Sequence, residues 1–92
     1  MAASRAERRE NRVSAAIAVF GEEMAPFALD LLELTELAWH DCYGEVTPPD
    51  GVVDDMLLLS AGSIERLIWA ARLGVADWRD LRVAAEELRN RG

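Results

Sequence analysis

Apolar residues recur at intervals of three and four positions along almost the entire chain, interrupted mainly by glycine and proline. Residues with this spacing lie on one side of an α-helix, so each stretch forms a helix with a face that packs into a core. No stretch alternates apolar and polar residues around hairpin turns, as paired β-strands do. The sequence therefore predicts an all-α fold, a compact bundle of three to four helices.

The first two predicted helices are separated by Gly21 and Pro26. The first helix runs from about Ser4 to Phe20 with Gly21 as its C-cap, and Pro26 belongs in the first turn of the second. The second helix continues to about Tyr43 and has two neighbouring apolar stripes, which predicts packing on more than one side. The main stripe consists of Phe27, Leu31, Leu34, Ala38 and Cys42, and the second stripe of Ala28, Leu32, Trp39 and Tyr43.

A loop rich in glycine and proline, residues 44–51, precedes the third predicted helix. This helix begins near Val52 and ends at Leu73, with a glycine directly after it as a stop signal. Gly62 and Ser63 within it leave a second possibility open, a break at which Ser63 caps a new helix. The last helix follows an aspartate, residue 77, that is a good N-cap.

A length of 92 residues predicts a single domain. Residues 1–12 are expected to form a charged and partly disordered N-terminal arm, and residues 13–92 the helical bundle. A bundle of this size buries a modest share of its surface, and helices two and three carry more apolar residues than its core requires. We therefore expect a homodimer that forms through helices two and three.

Two tryptophans widen the apolar faces of these central helices. Trp69 lies off the main stripe of its helix, in line with Leu58 and Leu73, and Trp39 lies beside the main stripe of the second helix. Packing in the core explains both positions, and so does a partner helix, to which tryptophan offers a large contact area. Trp39, Leu58, Trp69 and Leu73 are therefore the candidate apolar partner-binding residues.

Charge is distributed unevenly along the chain, whose net charge is −7. Eleven acidic residues and no arginine or lysine lie between Arg12 and Arg66. These acids either keep the protein soluble and pair with its own terminal arginines, or form a surface for a basic protein partner. Glu33, Glu36 and Asp41 are the candidates for such a surface. The negative charge argues against direct binding of nucleic acid, including by a DNA-binding transcriptional regulator with a helix-turn-helix.

Three side chains of the second helix could serve as metal ligands. Glu33, Glu36 and His40 are three and four residues apart and share one helical face, and Asp54 follows across the loop. The segment Glu33-Leu34-Thr35-Glu36 resembles the magnesium-binding Glu-x-x-Glu of the all-α nucleotide pyrophosphohydrolases, which implies a divalent-metal-dependent hydrolase of a nucleotide or other phosphate substrate. The later Glu-x-x-Asp pair of that family does not occur here. A solvated acidic helix face explains the same residues without any cofactor.

No motif of a nucleophilic enzyme is present, and Cys42, on the apolar stripe with acidic neighbours, is expected to be a buried and inert thiol. A single cysteine, a charged N-terminus and short apolar runs favour a cytoplasmic protein that enters no membrane. The absence of lysine beside abundant alanine and arginine is typical of a GC-rich bacterial or phage genome. The leading prediction is an acidic, helical protein-interaction module, an adaptor, antagonist or regulatory subunit, and not an enzyme.

Overall fold

The computed structural model describes residues 3–91, and this part of the chain consists of five helices and no strand. The helices are α1 (Arg5–Phe20), α2 (Ala25–Tyr43), α3 (Asp50–Ser60), α4 (Ile64–Ala76) and α5 (Trp78–Arg91). The all-α class is confirmed, whereas the predicted number of three to four helices is corrected to five, because the third predicted helix is two helices. Residues 5–12, assigned from the sequence to a partly disordered arm, form the first turns of α1.

Local signals explain where α1 and α2 begin and end. Ser4 and Glu7 form a capping box at the start of α1, in which each side chain accepts the backbone N–H of the other residue. Gly21 ends α1 with a φ of 83°, which a residue with a side chain rarely adopts. Pro26 lies in the first turn of α2, as predicted, and Gly44 ends α2 in the left-handed conformation.

A turn at Gly62 separates α3 from α4. The Ser63 hydroxyl accepts the N–H of Arg66 at 3.3 Å and caps α4, so the break left open by the sequence is present. A Cβ at Gly62 would lie 2.9 Å from the carbonyl oxygen of Val19, and the residue has a φ of 81°. Gly74, expected to stop the helix, lies inside α4, where the absence of a side chain lets α3 and α5 pack closely.

The core lies between α2, α3, α4 and α5. In it, α4 packs against the other three helices, and α3 packs also against α5. Its largest members are Leu32, Trp39, Met56, Leu67 and Leu81. By contrast, α1 packs mainly on α2, through a separate small cluster of Ala16, Ala25, Leu29 and Val13. None of the described helices is long and apolar enough to cross a membrane.

Candidate functional site

An open apolar groove runs between α2 and α4. Its volume is about 610 Å³. Thr35, one of the polar residues of the groove, donates its hydroxyl to the Leu31 carbonyl oxygen at 2.8 Å and so uses it within its own helix. The residues that line the groove are Leu31, Leu34, Thr35, Ala38 and Cys42 of α2 and Ile68, Ala71, Arg72, Val75 and Ala76 of α4. The groove therefore offers apolar side chains and small residues, with one arginine.

The α2 side of this groove is formed by residues of the main apolar stripe of the sequence analysis, which is only partly buried: Leu31 and Ala38 are half-buried. Leu34 is 63% exposed and Phe27 is 59% exposed, while Leu32 and Trp39 of the second stripe are buried. The expectation that Cys42 is a buried thiol is wrong, since Cys42 is exposed. The reason is that the buried Leu32 and Trp39 of the second stripe face the core, whereas the main stripe lies at the open groove, where α4 covers it only in part.

The apolar surface continues across the outside of α4. A second shallow depression is lined by Glu65, Ile68, Trp69, Arg72 and Leu73, so Ile68 and Arg72 belong to both depressions. Trp69 is 47% exposed, and the Arg66 guanidinium lies 5.5 Å from the centre of its ring. We call the residues of these two depressions, together with Phe27, the α2–α4 face.

The structure separates the four apolar residues that the sequence grouped as partner-binding. Trp69 and Leu73 lie on the α2–α4 face, and Leu58 is exposed on α3. Trp39, however, is 1% exposed, so its assignment as a partner-binding residue is corrected to a core residue. Its indole N–H donates to Glu45 Oε1 at 3.0 Å, which satisfies the one polar group of this buried ring.

Glu36 is held by two arginines of α1. Arg8 donates to Glu36 from Nε at 2.6 Å and from Nη2 at 2.9 Å, and Arg12 donates from Nη1 at 3.0 Å. Burial alone would raise the pKa of this carboxyl, but the hydrogen bonds from Arg8 and Arg12 outweigh burial, and the pKa is lowered to about 2. Glu36 is 3% exposed, so it joins α1 to α2 and is not an open contact for a basic partner.

Further acidic residues of the central stretch are paired with terminal arginines. Arg9 contacts Asp30 at 2.8 Å and Glu33 at 3.1 Å, both at the surface between α1 and α2. Buried Asp55 binds arginines 82 and 89 of α5 at 3.1 and 2.8 Å. Asp41 differs from these, because its side chain is 87% exposed and its nearest base is His40, at 3.9 Å. Of the three predicted acidic contacts, Asp41 is thus the most open.

The candidate metal ligands Glu33, Glu36, His40 and Asp54 are not brought together. Within residues 3–91, no group of three or more His, Cys, Asp and Glu side chains is placed to hold a metal ion. Two of the three carboxylates, Glu33 and Glu36, contact arginines instead. Since α2 packs mainly on α1 and α4, no close α2–α3 hairpin carries His40 to Asp54.

Comparisons with other proteins identify no relative of this chain. The chain matches no known family model, and no characterised protein and no solved structure matches it. The kind of ligand that the α2–α4 face binds is therefore inferred from the residues of the face alone. An open groove between two helices, lined by leucine and isoleucine and flanked by Trp69 in the adjoining depression, suits the apolar face of another helix.

Proposed function

We propose that this chain is a small acidic protein-interaction module of the cytoplasm, an adaptor, antagonist or regulatory subunit that works by binding and not by catalysis. The observation that carries the proposal is the exposed apolar stripe of α2, in which Leu34 lines the α2–α4 groove and Phe27 lies seven residues before it on the same side of the helix. Exposed apolar side chains that are grouped on one face of a protein are characteristic of interaction sites.

The composition of the α2–α4 face favours a helical ligand. The small residues Ala38, Ala71 and Ala76 line the groove and allow the backbone of a bound helix to approach closely. Leu34 and Trp69 stand at the two sides of the face as exposed anchors, and tryptophan in particular contributes strongly to binding energy in protein interfaces. Arg72 gives the groove a polar edge that fixes the orientation of the ligand.

Leu34→Asp is expected to weaken the binding of a protein partner through this face strongly. The substitution puts a carboxylate on the apolar stripe, and loss of a contact worth about 2 kcal/mol weakens binding roughly 30-fold. The measurement is recovery of partner proteins, including differently tagged copies of the chain itself, with the full tagged chain from the source cell, followed by quantitative mass spectrometry. Because Leu34 is largely exposed, the variant should keep its melting temperature within a few degrees.

Val83→Asp is the matched control for this experiment. Val83 is similarly exposed, lies on α5 and lines neither depression of the α2–α4 face. It should recover the same partner in the same amount as the unchanged chain. Equal recovery by Leu34→Asp and the unchanged chain would contradict the proposal.

A further inference from the structure

We infer that the ligand of the α2–α4 face is the same face of a second copy of this chain, related to the first by a two-fold axis. This inference rests on the proposed function and names its partner. A two-fold interface brings one patch against itself, so the patch must contain both members of every complementary pair. The α2–α4 face is complementary to itself in shape, and Asp41 beside it and Arg72 within it supply opposite charges.

The shape of the face combines a protrusion with a hollow. Leu34 stands out from α2 with most of its surface in water, and beside it lies the groove, where Ala38 and Ala71 occupy little space. When two such faces meet about a two-fold axis, each Leu34 enters the groove of the other copy. Leucine packed against small residues across a helical interface is the arrangement by which ridges of one helix fill the grooves of another.

The two edges of the groove carry opposite charge. On the α2 edge, Asp41 follows Leu34 by seven residues, so it lies on the same side of the helix, and its side chain is almost fully exposed. It stands at the outer border of the groove, where the depression that it lines with Arg5 and Arg8 of α1 begins. On the α4 edge, Arg72 lines the groove four residues after Ile68. Arg72 makes no salt bridge within residues 3–91.

A two-fold axis parallel to the groove places the acidic edge of one copy against the basic edge of the other. Asp41 of each copy can then pair with Arg72 of the other, which gives two equivalent ion pairs at the rim. Charge complementarity of this kind sets the register and the choice of partner more than the affinity. The two ion pairs require a ligand that carries an acidic and a basic residue at the same spacing as Asp41 and Arg72. A second copy of the chain meets this requirement because it has the same two residues.

Charge reversal tests this arrangement directly. We expect the unchanged chain to be dimeric at micromolar concentration, and Asp41→Arg and Arg72→Asp each to weaken the dimer by about tenfold or more, because each reversal creates two like-charge pairs. An equimolar mixture of the two variants should form a heterodimer as tightly as the unchanged chain, since both rim pairs are again opposite in sign. Native mass spectrometry distinguishes the heterodimer by mass, and Asp54→Arg, an exposed reversal on α3, should leave the dimer intact.

Both reversed side chains are exposed, so the variants should fold. If either melts early, Asp41→Asn and Arg72→Gln remove the pair without repulsion and must weaken the dimer by a smaller factor. An unchanged chain that is monomeric throughout the micromolar range overturns the inference. If that monomer still recovers another protein in a manner that requires Leu34, the proposed function survives. A dimer unaffected by Leu34→Asp and by both reversals uses another surface and overturns both.

Discussion

Glu36→Gln should lower the free energy of unfolding by about 3 kcal/mol at pH 7, as is usual when one partner of a buried ion pair is removed. The carboxylate is 3% exposed and receives three hydrogen bonds from Arg8 and Arg12. The variant leaves these two guanidinium groups without their negative partner in a partly buried position. Urea unfolding followed by circular dichroism gives the free energy, and the effect should appear chiefly as detachment of α1 from α2.

Glu33→Gln is the control, since Glu33 contacts Arg9 on the same helix pair but is one-third exposed. It should cost less than about 1 kcal/mol, as surface ion pairs do. If Glu36→Gln and Glu33→Gln lowered the free energy of unfolding equally, burial of the Glu36 ion pair would not account for its contribution to stability.

The same carboxyl should make the protein sensitive to acid. Its pKa is lowered from 4.5 to about 2 in the folded chain, so its stabilising effect is complete above about pH 5 and is lost as the pH falls from 4.5 towards 2. A difference of this size corresponds to about 3 kcal/mol. The gap in stability between the unchanged chain and Glu36→Gln should therefore narrow across this range, and a gap independent of pH would contradict the assignment.

Asp55→Asn should destabilise the bundle by about 2 to 3 kcal/mol, because Asp55 is a nearly inaccessible carboxylate with two arginine partners. Arg82 and Arg89 are each partly exposed and can regain water, which keeps the expected loss at the lower end for a buried pair. The contact joins α3 to α5, so amide hydrogen exchange should accelerate most in α5. Asp54→Asn, at the exposed neighbouring position, should change the stability by less than about 0.5 kcal/mol. Comparable losses at both positions would contradict this role of Asp55.

Local signals in the sequence were sufficient to predict the helices and most of their ends. Gly21 and Pro26 separate α1 from α2 as predicted, and Asp77 accepts the Arg79 N–H at 3.0 Å, as expected of a residue before α5. The sequence indicated a possible break at Gly62 but could not distinguish it from a continuous helix. A glycine in a helix costs only about 1 kcal/mol, and the close approach of Val19 that favours a turn is a tertiary contact.

The surroundings of each helix could not be predicted in the same way. Periodicity shows that α2 has two apolar stripes, but which one is covered depends on where α1 and α4 pack, and the stripe with Trp39 is the buried one. Glu36 is 28 residues from Arg8, so no local pattern links them. The only signal in the sequence was the uneven distribution of arginine. It indicated that the terminal arginines pair with the acidic residues of the central stretch, but it did not identify Glu36 as the buried partner.

The most direct test of the α2–α4 face as the binding surface is the rate at which a maleimide modifies Cys42. This is the only cysteine of the chain, it is exposed, and it lines the groove. As the protein concentration rises through the micromolar range, the rate should fall by about tenfold or more in step with the dimer fraction, because only the free face admits the reagent. Leu34→Asp should react at the fast rate throughout. A rate for the unchanged chain that is fast and independent of concentration, while the protein is dimeric by mass, would contradict the assignment of this face.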